Sequence, residues 1–158
     1  MTAAVIRVGI ADDHFVARLG LRRCLEASGD MVVVGEAHDG HEALALVQSQ
    51  QVDVLLLDGV MPNASGLDVL PQLRAAAPAT RIVLVSAWPS ELFAGKALQL
   101  GAHAYLEKSA TPDEIMAVIR DLAGASASGD GRSGGSGGKH PATPPTASAT
   151  PPSGPPRS

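Results

Sequence analysis

The chain predicts an open α/β fold, a doubly wound parallel sheet of five strands with helices on both faces. Three observations carry that expectation. Five short apolar runs alternate with five helix-like stretches across residues 1–123. Such alternation implies right-handed crossovers and helices covering both faces of one sheet. The third run, residues 52–57, is almost continuously apolar after Asp53, the pattern of a strand covered on both sides. Polar residues stand where the runs stop: Asp12 and Asp13 after the first, Asp58 after the third, Ser86 after the fourth and Lys108 just past the fifth. In a parallel sheet those ends share one edge, and the flavodoxin-like order 2-1-3-4-5 sets strands 1 and 3 side by side around a crevice.

The first strand is read at Ile6–Ala11 and the first helix at Phe15–Ala27, with Val16, Leu19, Leu21, Cys24 and Leu25 assigned to one face. The second strand, Met31–Ala37, alternates through Val34, Gly35, Glu36 and Ala37, as an edge strand does. The helix over residues 40–50 follows Asp39, with Glu42 three residues on, a capping-box-like start. The third helix begins late, near Leu67 or Asp68, because Pro71 lacks an N–H and clashes inside a formed helix. The strand over 81–85 leads to a helix that Ser90 can cap and Gly101 can end in the left-handed conformation. The strand Ala104–Glu107 leads to Thr111-Pro112-Asp113-Glu114: a cap, a proline at the first helical position and a glutamate at the third. The last helix is read to about Ala123.

Composition sets limits. Residues 124–158 contain no Val, Leu, Ile, Met, Phe, Tyr or Trp, so they cannot bury enough apolar surface to offset their ordering entropy. They are expected to be a disordered Gly/Ser/Pro-rich tail, which leaves one domain over 1–123. That domain carries 9 Lys and Arg against 15 Asp and Glu, a net of −6, which argues against direct nucleic-acid binding there. Cys24 is the single cysteine, read as a small core residue; no disulfide forms within the chain and no cysteine metal site exists. No apolar run is long enough to span a membrane and the start lacks a secretion-signal pattern, so the expected location is the cytoplasm.

Singly, each polar residue at the sheet edge has a plain structural role. Asp13 can cap the first helix, Asp58-Gly59-Val60-Met61-Pro62 has the composition of a turn, Ser86 can end a strand and Lys108 can reach solvent. Tyr105 can pack on the fourth helix. Their convergence is harder to assign to structure alone. Three carboxylates, a hydroxyl and an ammonium in one crevice suit Mg2+ and a phosphoryl group. Asp12 and Asp13 are adjacent, so both cannot sit deep on one strand face; one can meet a cation directly and the other through a water.

These residues, with Met61-Pro62 and Gly66 after Asp58 and with Tyr105 three before Lys108, resemble the receiver domain of bacterial two-component response regulators over residues 5–123. The stretch 101–108 and Asp13-His14 are most similar to the NarL-type class, whose members carry a helix-turn-helix output domain. The resemblance implies that Asp58 accepts a phosphoryl group from a sensor histidine kinase or phosphotransfer protein. It implies Mg2+ held by Asp13, Asp58 and the Val60 carbonyl, with Asp12 direct or through water. Lys108 and Ser86 would meet phosphoryl oxygens, and Ser86 with Tyr105 would form a two-state switch. It implies a phosphoacceptor, not an enzyme, and it allows a homodimer on phosphorylation; autodephosphorylation is expected to be slow because Val60 and Trp88, two residues beyond Asp58 and Ser86, present no amide or carboxylate to orient a water. The chain departs from the pattern at Ser109, where many receivers have a proline with a cis bond. His14 is read as lining the start of the first helix.

Three other functions share parts of this pattern. An Asp-nucleophile Mg2+ phosphatase of the haloacid-dehalogenase kind needs an acid-base aspartate two residues after the nucleophile, where this chain has Val60. A flavin carrier needs a phosphate loop that Asp12-Asp13 would repel. A receiver belonging to a DNA-binding regulator is the third; residues after Ala123 offer no second apolar region to build a helix-turn-helix.

Overall fold

A computed structural model describes residues 5–62 and 65–128. Five parallel strands form one sheet in the order β2-β1-β3-β4-β5: β1 Ile6–Ala11, β2 Met31–Ala37, β3 Val54–Asp58, β4 Arg81–Ser86 and β5 Ala104–Glu107. The helices α1 Phe15–Ala27, α2 Gly40–Ser49, α3 Gly66–Ala76, α4 Ser90–Leu100 and α5 Pro112–Ser128 alternate with them. The expected fold class, sheet order and edge position of β2 all hold.

Successive residues of β3 point to opposite faces, so its unbroken apolar run feeds two cores. Leu55 and Leu57 join Ile82 and Leu84 beneath Ala43, Leu46, Leu70 and Leu73 of α2 and α3. Val54 and Leu56 join Val8, Ile10 and Val83 beneath Leu25 of α1 and Ile115 and Ile119 of α5. Truncating one fully buried leucine in such a layer costs about 2–5 kcal/mol, so the sheet is a stiff platform for whatever its upper edge carries.

Several local expectations are corrected. α1 buries only Leu25 completely; Leu21 and Cys24 are half-buried, while Val16 is 76% exposed and Leu19 38%. At about 100° per residue, nine positions separate Val16 from Leu25 by roughly half a turn, so the two cannot share a face. α3 starts at Gly66, capped by the Ser65 hydroxyl accepting from the Asp68 amide at 3.2 Å, and Pro71 lies within it. Pro71 is exposed, on the side where a stretched hydrogen-bond ladder is best tolerated. Ser90 is not a cap: it is the first residue of α4, after Pro89, and its amide donates to Glu107 Oε2 of β5 at 2.7 Å. α5 runs five residues past Ala123, to Ser128; the rest of the expected disordered tail lies outside the described residues. β3 and β4 each end one residue later than expected, with Asp58 paired to Val85 and Ser86 to Glu107. No peptide bond among the described residues is cis, so Lys108–Ser109 is trans. No helix among them is long and apolar enough to cross a membrane.

Other expectations hold in detail. The Glu42 amide donates to Asp39 Oδ1 at 2.8 Å, while the Glu42 carboxylate accepts from the His38 amide at 2.9 Å. Thr111 and Glu114 form a reciprocal capping box, at 3.2 and 2.8 Å. Gly101 ends α4 at φ 121°, and a Cβ there would strike the Arg74 side chain.

His103, whose spacing to other residues suggests no role, joins β4 to β5 at the lower edge of the sheet. Its Nδ1 accepts from the Ile82 amide at 3.0 Å, and its own amide donates to the Ile82 carbonyl at 2.7 Å. Burial, then the charges of Arg74 and Arg81, push the imidazole down to about 4. A folded value below the ordinary 6.5 means this pairing stabilises fully above pH 6.5 and is lost as pH falls toward 4. Between pH 7 and 5 the wild type should lose about 1–2 kcal/mol from this group. His103→Asn, which keeps an acceptor but does not titrate, should show a flatter dependence in denaturant titrations; equal slopes would refute the assignment.

Candidate functional site

The upper edge of the sheet gathers side chains from three strand ends. Asp12 follows β1, Asp58 closes β3, and Lys108 follows β5. Asp12 and Asp58 are 5% and 4% exposed. Lys108 Nζ lies between them, 2.8 Å from Asp12 Oδ2 and 3.3 Å from Asp58 Oδ2. The sheet brings these groups together across 96 and 50 positions of sequence.

The backbone holds both carboxylates. Asp58 Oδ1 accepts from the Val60 amide at 3.0 Å, and Asp12 Oδ1 accepts from the His14 amide at 2.8 Å. Burial pushes Asp12 up, but Lys108 and the His14 amide outweigh it and leave the carboxyl below its ordinary value. Burial also pushes Asp58 up; the Val60 amide and Lys108 oppose this, the charge of Asp12 adds to it, and the carboxyl ends above its ordinary value. Burial would lower Lys108, yet its two carboxylate partners raise it. The ammonium is therefore firmly charged, and one positive charge serves two buried carboxylates.

Asp13 stands on the exposed side of the edge, its Oδ1 3.1 Å from His14 Nδ1. Asp12, Asp13, His14 and Asp58 each offer one ligand atom, and these atoms all lie within 4.8 Å of one another. The carboxylates of Asp12 and Asp13 beside a raised, under-neutralised Asp58 form an oxygen-rich donor set that fits a hard divalent cation. His14, read from the sequence only as the start of α1, is the N-cap residue of that helix, makes no side-chain cap, and turns its ring into the cluster.

The floor of the site depends on glycine. A Cβ on Gly66 would strike the Asp58 carbonyl, and one on Gly59 would sit 3.1 Å from Ser86 Cβ. These two glycines let the start of α3 and the β4 terminus close around Asp58. Ser86 is fully buried, and its Oγ accepts from the Trp88 amide at 3.1 Å. The Tyr105 hydroxyl donates to the Trp88 carbonyl at 2.9 Å. Trp88 itself leans on α4, its ring 4.7 Å from that of Phe93. Asp12, Asp13, Asp58, Val60, Ser86 and Lys108 thus lie at this edge, while Tyr105 sits within β5 and reaches the loop after β4 through its hydroxyl; Val60 contributes its amide to Asp58, with its side chain 47% exposed. Arg18 and Glu107 were missed, since each acts on backbone groups that only the folded chain brings near.

The response regulator receiver domain model matches residues 8–120. The transcriptional regulatory protein YxjL of Bacillus subtilis is 38% identical over 118 residues, covering 75% of this chain and 54% of YxjL. The signal receiver domain of NarL from Mycobacterium tuberculosis superposes with a TM-score of 0.73 at 39% identity, covering 77% of this chain and 98% of that one. A response regulator from Burkholderia pseudomallei, solved with a phosphorylated aspartic acid, a calcium ion and citrate, is similar at a TM-score of 0.66 and 28% identity, over 78% of this chain and 71% of that one. The chain spans about half the length of the curated relatives it matches.

Proposed function

Because the chain belongs to the response regulator receiver domain family, we infer that Asp58 is its phosphoacceptor, charged by a sensor histidine kinase or phosphotransfer protein. The observation that carries this is the buried Asp58 carboxylate at the end of β3, flanked by Lys108 at 3.3 Å and the Val60 amide at 3.0 Å. An Asp58 oxygen forms the new P–O bond. The bond from phosphorus to the donor's imidazole nitrogen breaks, and that nitrogen keeps the electron pair and takes a proton from solvent. Lys108 offsets charge on one phosphoryl oxygen and the Ser86 hydroxyl donates to another. This is positioning and neutralisation, the main demands of phosphoryl transfer. Asp13, Asp58 and the Val60 carbonyl would hold Mg2+, with Asp12 direct or through water, and the ion supplies further neutralisation of phosphoryl charge. The metal and phosphorylated aspartate of the Burkholderia relative support this reading.

The protein is then a signalling phosphoacceptor in the cytoplasm, not a turnover enzyme. Ser86 and Tyr105 form its switch, since both are tied to Trp88, and homodimerisation on phosphorylation is one output. Control of transcription, as in the name of the relative YxjL, is the other. The test is incubation with acetyl phosphate and Mg2+: one acid-stable, base-labile phosphoryl group should appear by intact mass, and none without Mg2+. Labelling independent of Mg2+ and stable to base would overturn the reading.

The phosphorylated state should be long-lived. Hydrolysis needs a water in line with the phosphoryl group, and Val60, two residues beyond Asp58, has no amide or carboxylate side chain to orient one. Trp88, two beyond Ser86, is occupied with Phe93. Decay of the phosphorylated protein, followed at saturating Mg2+, should quicken in Val60→Asn or Trp88→Ala. Unchanged decay in both would sink the idea.

A further inference from the structure

The structure assigns Arg18 of α1 the role of positioning residue for Asp12 and Asp13, an inference that rests on reading their cluster as the cation-assisted phosphoacceptor site. The ladder of β1 ends with Ala11 paired to Ala37. The Asp12 amide still donates to the Ala37 carbonyl at 2.9 Å, but the Asp12 carbonyl lies beyond the ladder. It accepts from Arg18 Nη1 at 2.6 Å. Arg18 Nε donates to Glu36 Oε1 at 2.9 Å, and Arg22 Nη1 holds the other Glu36 oxygen at 2.7 Å. Arg18 is only 13% exposed, although Val16 and Leu19 of the same helix face solvent.

Each end of this guanidinium is therefore anchored: one on the edge strand β2 through Glu36, the other on the peptide that joins Asp12 to Asp13. The Asp12 carboxylate already has Lys108 and the His14 amide. With the carbonyl also bound, the whole residue is fixed, and Asp13 takes its direction from the peptide before it. Arginine suits the task because its rigid fork carries donors on separate nitrogens, Nε to Glu36 and Nη1 to the Asp12 carbonyl, whereas the donors of a lysine all sit on one nitrogen.

Charge and positioning predict opposite results. A guanidinium beside an acidic cluster repels a cation, so by charge alone its removal should tighten Mg2+ binding. If Arg18 fixes the ligands, its removal should weaken binding, and partners of this kind typically shift metal affinity about tenfold or more. The experiment is a Mg2+ titration of the complete chain, followed by the amide NMR shifts of residues 12–14, with melting temperature recorded separately. Arg18→Ala should raise the Mg2+ Kd about tenfold. Arg18→Lys keeps the charge but should fall between it and the wild type. Arg22→Ala removes an equal charge from Glu36, leaves the bond to the Asp12 carbonyl, and should change Kd by less than about twofold. Unchanged or tighter binding by Arg18→Ala, whatever its melting temperature, would overturn the inference. Should that variant not fold, Arg18→Lys and Glu36→Gln decide: wild-type Kd in both overturns it, weaker binding supports it. No Mg2+ binding by the wild type would overturn the underlying reading as well.

Discussion

Asp58→Asn should bring phosphoryl incorporation down to background while leaving the fold intact. The substitution is nearly isosteric, and the new amide oxygen can still accept from the Val60 amide, now 3.0 Å from Asp58 Oδ1. What disappears is the nucleophile: an amide oxygen does not form an acyl phosphate. No neighbour can replace it, since Asp12 is buried and bound to Lys108 at 2.8 Å and Asp13 lies on the exposed side. Acetyl phosphate labelling read by intact mass provides the check, and wild-type labelling of Asp58→Asn would overturn the assignment. A pH profile adds to it. Burial, with the charge of Asp12, holds the Asp58 carboxyl above its ordinary value, so the reactive carboxylate is lost on acidification sooner than an exposed aspartate would be.

Lys108→Ala should destabilise the metal-free protein by about 2–3 kcal/mol, roughly 10 °C in melting temperature. Removing the ammonium leaves the Asp12 and Asp58 carboxylates buried together with no countercharge, and breaking a buried ion pair from one side is costly. The figure is set below the full buried-pair range because Lys108 is 32% exposed. Two treatments should recover the loss. Millimolar Mg2+ binds the folded state only, so it should raise the melting temperature of Lys108→Ala more than that of the wild type. Acidification should help too: without Lys108 both carboxyls titrate upward, and a carboxylate with a raised folded value gains stability as pH falls. In the wild type Asp12 has the opposite sign, because its lowered value means stability lost as pH falls through it. Thermal melts of both proteins with and without Mg2+ settle the matter, and equal Mg2+ shifts would count against the shared role of Lys108 and the cation.

The upper edge of the sheet was readable because it is made of strand ends. Asp12, Asp58, Ser86 and Lys108 interrupt apolar runs, and a parallel sheet turns such interruptions into neighbours. Caps whose two partners lie three residues apart, Asp39 with Glu42 and Thr111 with Glu114, were readable for the same reason. Features that depend on distant partners were not. The acceptor for the first free amide of α4 is Glu107, 17 residues downstream, so Ser90, a good cap by type, was credited with a role it does not have. Nothing in the sequence marks Arg18, because its target is a main-chain carbonyl with no residue-specific signature. The apolar face assigned to α1 failed on geometry, because hydrophobic residues at 16 and 25 cannot share a side of a helix.

The five residues from Ser86 to Ser90 hang from β5 at every second position. The Ser86 carbonyl accepts from the Lys108 amide at 2.7 Å, the Trp88 carbonyl accepts from the Tyr105 hydroxyl, and the Ser90 amide donates to Glu107. Between these fastenings Pro89 is held as well, its carbonyl accepting from the Leu92 and Phe93 amides of α4 and its ring fixing its own φ. The segment therefore has the kinematics of a short linkage, not of a loop. Ala87, exposed and small, is its one free joint. A displacement imposed at Ser86 cannot be absorbed as slack; it must emerge as a rotation at the start of α4 or as a broken tie to β5.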